Sequence, residues 1–228
     1  MAAPTFVSFA LSDATYVATT ATKTIAPTLA VGDLVVVISL SGNAGTPVNT
    51  VPSGSGLTFT QRATLGVAGT TSRAVAFTAV ASTAGAITVT ITRPAAVQAW
   101  QAYLWVWRNH GGVGAIGAPT VGTTSNSATL TCSANSGLSV GSADWASVDG
   151  TSRTRRTINA STGTEDGYFR NTTDYAAYGS HYLDTGAAGS VTAGYSAPTG
   201  QQSAIIAVEV LGTNAIPPIL IMQTRRAY

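Results

Sequence analysis

His181 lies in Tyr178-Gly179-Ser180-His181-Tyr182-Leu183-Asp184, and Ser180, His181 and Asp184 supply the residue types of a serine nucleophile, its base and an orienting acid. The spacing argues against that use. Neighbours on a strand point to opposite faces, so Ser180 and His181 cannot face each other on a regular strand. Glu165 and Asp166 are the residue types of a glycosidase acid and base, but they adjoin in Thr164-Glu165-Asp166-Gly167, which reads as a hairpin turn. Catalytic carboxylates stand ~5–9 Å apart across a cleft, on separate elements. There is no glycine-rich phosphate loop ending in Lys-Ser/Thr and no His-Glu-x-x-His. One cysteine, Cys132, in an alternating strand pattern reads as a small buried thiol, and with only two histidines it does not suggest a metal site. His110 follows a strong strand in Asn109-His110-Gly111-Gly112 and reads as a solvated turn residue. The expectation is a chain without catalytic residues, metal or cofactor, and not an enzyme.

Binding is better represented. Tyr103, Trp105 and Trp107 sit at i, i+2 and i+4 and form an aromatic strip on one strand face. Such a strip packs as core under a loop, stacks on a sugar, or meets a protein partner. Arg153, Arg155 and Arg156, in a Thr/Ser/Gly-rich stretch, read first as a solvated loop and second as a salt-bridging contact with a neighbouring subunit. The C-terminal residues 213–228 differ in character. Pro217-Pro218 break off the last strand, and Ile216, Ile219, Leu220, Ile221 and Met222 precede a basic tip, Arg225 and Arg226. So much apolar surface must be covered. The segment either returns along its own domain or docks as an arm on another subunit, in which case residues 216–222 with Arg225 and Arg226 form the partner-binding set.

The elements that position these residues follow from composition and periodicity. Of 228 residues only 9% are charged and 45% are hydrophobic, and the net charge is +2. That excludes coiled coils and helical arrays, and disfavours disorder. Ten arginines and one lysine, without a dense basic face, argue against nucleic-acid binding. Residues 109–143 carry no charge but are too rich in Gly, Ser and Thr for a membrane helix, so no membrane insertion is expected. The N-terminus, Met1-Ala2-Ala3-Pro4-Thr5, has no secretory pattern, so synthesis in the cytoplasm without export is expected.

Period-two alternation and β-branched runs predict strands over 5–10, 19–25, 33–40, 57–64, 72–80, 86–92 and 99–108. A second set covers 117–123, 127–133, 138–148, 168–172, 175–184, 190–196 and 204–211. The fold class is all-β, an antiparallel β-sandwich of jelly-roll-like form. Gly85–Pro94 aligns with Gly189–Pro198 at an offset of 104, which suggests two pseudo-repeated halves, about 5–110 and 115–212, in one domain of residues 1–212. Carried into the last strands, that offset places Glu209 where Trp105 would be. It also leaves the aliphatic face of Ala102, Leu104 and Val106 as the shared core of two sheets.

The order Ala30-Val31-Gly32-Asp33-Leu34-Val35-Val36, then Pro52, Leu57-Thr58-Phe59, Ala74–Val80, Gly85–Ile91 and Leu104–Arg108 resembles a β-sandwich family. That family consists of structural proteins of tailed phages infecting actinobacteria. The resemblance covers most of residues 5–212, departing where Leu57-Thr58-Phe59 stands for the family's Gly-Trp step. It implies a non-enzymatic virion component, either a minor tail (tail or tail-tip) protein or a capsid-decorating one, located in the virion. Its partners would be other virion proteins and copies of itself as a homo-oligomer. The alternative is a carbohydrate-binding module that uses Tyr103, Trp105 and Trp107 on a host-surface glycan.

Overall fold

The computed structural model describes residues 2–12, 22–42, 50–65, 72–92, 99–118, 126–144, 153–170, 175–199 and 203–213. The protein is all-β, and no helix occurs among these residues. The first half holds β1 (Thr5–Leu11), β2 (Thr22–Ile25), β3 (Thr28–Leu29), β4 (Leu34–Gly42), β5 (Thr60–Leu65), β6 (Ser72–Val80), β7 (Gly85–Ala86), β8 (Val89–Thr92) and β9 (Ala99–Arg108). The second holds β10 (His110–Gly117), β11 (Ser127–Cys132), β12 (Gly137–Asp144), β13 (Thr154–Arg155), β14 (Thr157–Ile158), β15 (Ser161–Thr162), β16 (Thr164–Arg170), β17 (Ala176–Tyr182), β18 (Gly189–Ala197) and β19 (Ser203–Gly212).

Pairing within each half is nested and antiparallel. β1 pairs with β9, β2 with β8, β3 with β7 and β4 with β6. In the second half β10 pairs with β19, β11 with β18 and β12 with β17. A long antiparallel ribbon rolled over on itself gives this order, which is the jelly-roll arrangement. Each half carries one five-stranded sheet, ordered β1-β9-β4-β6-β5 and β10-β19-β12-β17-β16. The two orders are the same once β1 is matched to β10, β9 to β19, β4 to β12, β6 to β17 and β5 to β16.

The ladders correct the register read from sequence. Leu34 faces Trp107 in the first half and Gly137 faces Val210 in the second, so Trp107 corresponds to Val210 and Trp105 to Val208. Glu209 therefore takes the place of Val106, not of Trp105. A shift of one residue exchanges the two faces of a strand, and the repeat visible around Gly85 and Gly189 does not fix the register of a strand further on. The strand placed at 117–123 overlaps β10 only at Gly117, and residues 119–125 lie outside the described residues. One further expectation fails. The hairpin turn at Glu165-Asp166 is β16, with a bulge between Glu165 and Gly167.

The cores follow from these faces. Val35, Val37, Ala102, Leu104 and Val106 pack against Ile25, Leu29, Ile87, Val89 and Ile91 inside the first roll. Leu138, Val140, Ile205 and Ala207 do the same with Ala128, Leu130 and Ala193 in the second. The aliphatic face is thus each roll's own core. The seam between the five-stranded sheets is built from the other faces: Tyr103, Trp105, Trp107, Leu34, Val36 and Ile38 against Ile206, Val208, Val210 and Ala177.

Across this seam β12 lies over β4, and β19 lies over β6 and β5. Gly137 meets the Trp107 ring and Gly141 meets Ile38, so β4 and β12 run in the same direction. Gly167 of β16 meets Phe9 of β1, and Gly179 of β17 meets Tyr103 and Trp105 of β9. These contacts describe a pseudo-two-fold axis along the strands. Ile38 and Gly141, equivalent by register, meet at the axis as residues of an isologous contact do.

Candidate functional site

The residues with chemistry to offer converge on the seam. Tyr103, Trp105 and Trp107 are at most 1% exposed. Each is turned from β9 onto the opposite sheet, where glycines make room. A Cβ at Gly179 would stand 3.1 Å from Tyr103 and 3.2 Å from Trp105, and one at Gly137 would come within 2.6 Å of Trp107. Buried rings of this size remove about 150–250 Å² each from water. At about 25 cal/mol per Å² that is of order 4–6 kcal/mol per ring as an upper bound. The strip is core between two sheets, and no face of it is open to a sugar.

Each ring also carries a polar tip that finds a partner. The Tyr103 hydroxyl donates to the Ala177 carbonyl at 3.1 Å, and Trp107 Nε1 donates to Ser139 Oγ at 2.8 Å. Trp105 Nε1 donates to Asp166 Oδ2 at 2.7 Å. The other oxygen, Asp166 Oδ1, lies 2.7 Å from His181 Nδ1, and the Phe6 ring stacks on the imidazole at 3.8 Å between centroids. His181 and Asp166 thus form a histidine–carboxylate pair, as a base and its orienter would. Their side chains are 6% and 5% exposed, so the pair sits inside the seam and not at an open cleft. Ser180 points to the other side of β17, and Asp184 accepts the Gly186 amide. No triad is assembled. The partnership with Asp166 was missed in the sequence because a bulge in β16 brings that side chain to the seam.

The remaining ionisable groups fasten other joints. Arg108 holds Asp33 through two bonds, Nε to Oδ1 at 2.7 Å and Nη2 to Oδ2 at 2.8 Å. Burial alone would raise the Asp33 carboxyl. The bonds from Arg108 and from the Ala30 amide, with the Arg108 charge, more than offset this and hold it below the ordinary carboxylate range. Glu209, 1% exposed, accepts the Ala115 and Ser133 amides at 2.6 Å each and the Ser136 hydroxyl at 2.7 Å. Burial, aided by the Glu209 charge, pushes the Cys132 thiol up to about 12, so it stays protonated and unreactive. His110, expected as a solvated turn residue, opens β10 half-buried. Its Nδ1 accepts the Gly112 amide at 3.0 Å, which puts the ring proton on Nε2 for donation to the Gly32 carbonyl at 2.9 Å. Arg153 is not a solvated loop residue either. It makes a two-bond pair with Glu165 at 2.8 and 2.7 Å and lies 3.7 Å over the Tyr168 ring, while Arg155 stands 3.8 Å from the same carboxylate.

Among the described residues no group of three or more His, Cys, Asp or Glu is placed to hold a metal ion. No helix among them is long and apolar enough to cross a membrane. The expected partner-binding residues Ile216, Pro217, Pro218, Ile219, Leu220, Ile221, Met222, Arg225 and Arg226 lie outside the described residues. Compared with known proteins, the chain matches no family model, no curated protein and no solved structure.

Proposed function

We propose that this chain is a structural component of a tailed-phage virion, either a minor tail (tail or tail-tip) protein or a capsid-decorating one. It would work by contact with other virion proteins and with copies of itself. The observation that supports this reading is the direction of its chemistry. The strip Tyr103, Trp105 and Trp107 and the pair His181–Asp166 face the seam and lock two jelly rolls into one block, while the carboxylate of Glu209 faces the interior of the second roll. The sequence resemblance to phage β-sandwich proteins and the low share of charge, 9%, which suits permanent contact surfaces, point the same way.

Light scattering on a sizing column tests the proposal. An oligomer of defined mass is the expected result. A stable monomer that retains a bacterial surface glycan on a column would overturn it in favour of a carbohydrate-binding module. That module would need a surface other than the buried rings.

A further inference from the structure

The pseudo-two-fold makes the two flanks of the seam equivalent in backbone, yet they differ in what fills them. On one flank Phe6 of β1 stacks on His181 of β17, and Asp166 holds that histidine. The counterparts follow from register. Phe6 faces Trp107 and Val113 faces Val210, so Val113 stands for Phe6. Thr60 faces Thr78 and Thr164 faces His181, so Thr78 stands for His181. Both edge strands bulge at the same step, which makes Arg62 the counterpart of Asp166. Even the bond is kept in kind, since Arg62 Nε donates to Thr78 Oγ1 at 2.7 Å. The rings are gone, however. Where Phe6 and the imidazole close the first flank, Val113 and Thr78 leave a groove of about 220 Å³, walled by Leu34, Thr60, Arg62, Thr78, Val80 and Val113. Val80, in that wall, is 51% exposed.

We infer that this groove receives the chain's own C-terminal apolar segment, Ile216–Met222, which supplies the bulk that Phe6 and His181 supply on the other flank. The point of departure supports it. Thr213, the last described residue, exchanges backbone hydrogen bonds of 3.0 Å with Ala2, and Gly212 pairs with His110, two residues from the groove-lining Gly112. The last described residues therefore lie beside the start of β10, the strand whose Gly112 and Val113 line the groove. At about 3.3–3.6 Å per residue, Asn214, Ala215 and Ile216 span roughly 10 Å. Fifteen residues follow Thr213, and five of them are large and aliphatic. A tether this short sets an effective concentration of order millimolar, which favours the chain's own groove over a neighbour's. The inference does not depend on whether copies of the chain associate.

Thiol trapping in the full chain tests it. Thr60→Cys with Leu220→Cys, oxidised mildly, is expected to give an intrachain disulfide at monomer mass. Thr129→Cys with Leu220→Cys, its first thiol on the exposed face of β11, should stay reduced; the native Cys132 is buried and does not compete. Crosslinks between chains would place the segment on a second copy and overturn the inference. Equal trapping by both pairs, or none, would do so as well. A second readout guards against misfolded variants: Val113→Trp fills the groove from within, and chymotryptic cleavage after Leu220 or Met222 should then rise at least ~10-fold. An unchanged cleavage rate in a folded variant would count against it.

Discussion

Asp144 ends β12 with its side chain fully buried, and the arrangement around it makes stability depend on pH in one direction. Its Oδ2 accepts the Tyr178 hydroxyl at 2.7 Å and the Asn126 amide at 3.1 Å, while Oδ1 has no hydrogen-bond partner among the described residues. Burial therefore dominates and pushes the carboxyl from 3.8 to about 6, despite those two bonds and the nearby Arg170 charge. A carboxyl that titrates higher in the folded than in the unfolded state binds its proton more tightly when folded. Stability is then greatest below about pH 4, falls between about 4 and 6, and is flat above. At 1.36 kcal/mol per pH unit the loss is about 3 kcal/mol. Asp144→Asn keeps the shape and removes the ionisation. Urea unfolding of both proteins from pH 4 to 8 is expected to show the variant gaining about 3 kcal/mol on the native chain across that range. With a denaturant slope of roughly 3 kcal/mol per molar, that is a midpoint difference near 1 M. Asp33 does not blur the comparison. Its lowered pKa gives stability that is present above the ordinary carboxylate range and lost only as pH falls below about 4, and it is common to both proteins. A difference independent of pH would refute the burial argument.

Five substitutions probe the seam and the second roll. Trp105→Phe strands a buried carboxylate oxygen of Asp166, whereas Trp107→Phe releases only the Ser139 hydroxyl. The first should cost about 2–4 kcal/mol and the second about 1–2, and the reverse order in urea unfolding would contradict the assignment of bonds. Gly141→Ala puts a Cβ 2.7 Å from Ile38 Cγ2, an overpacking of about 1–3 kcal/mol. Ile38→Ala should cost less in its presence than alone, and additive costs in the double-mutant cycle would show that the sheets do not meet there. Glu209→Gln turns an amide NH₂ toward groups that already donate, Ala115 N–H or Ser133 N–H with Ser136 O–H. It should cost about 2–4 kcal/mol in thermal or urea unfolding, and a loss below 1 kcal/mol would mean that the carboxylate is not the organising acceptor.

The all-β class and most strand positions were legible because alternation and β-branched runs record which side of a strand meets water. Ser72–Val80 and Ala99–Arg108 are strands as read. What was not legible depends on geometry between strands. The face of Trp105 was plain from spacing. Which layer lay against it was not, because the partner surface consists of glycines such as Gly137, Gly141 and Gly179, which carry no side chain to mark the face they present. Glu209 was misplaced by one residue because composition rich in Ala, Gly and Thr leaves register loosely marked. Asp166 was read as a turn because Glu-Asp-Gly is turn chemistry, and a bulge uses the same residue types.

The seam is isologous in backbone and heterologous in side chains, and the difference bears on how such a molecule holds its form. On the first sheet Tyr103, Trp105 and Trp107 project, and on the second Gly137, Gly167 and Gly179 recede beneath Trp107, Phe9 and Tyr103. Two first halves set face to face would bring tryptophans into the space that glycines now leave open. Two second halves would leave voids where the rings now sit, each costing in proportion to its unfilled volume. Either combination loses contact on both sides of the axis, so the mixed pairing is favoured twice over. Two identical halves would have an interface that any two copies could share. The difference between projecting and receding residues on equivalent strands confines that interface to the two halves of one chain. Contacts between copies must then use faces other than the seam.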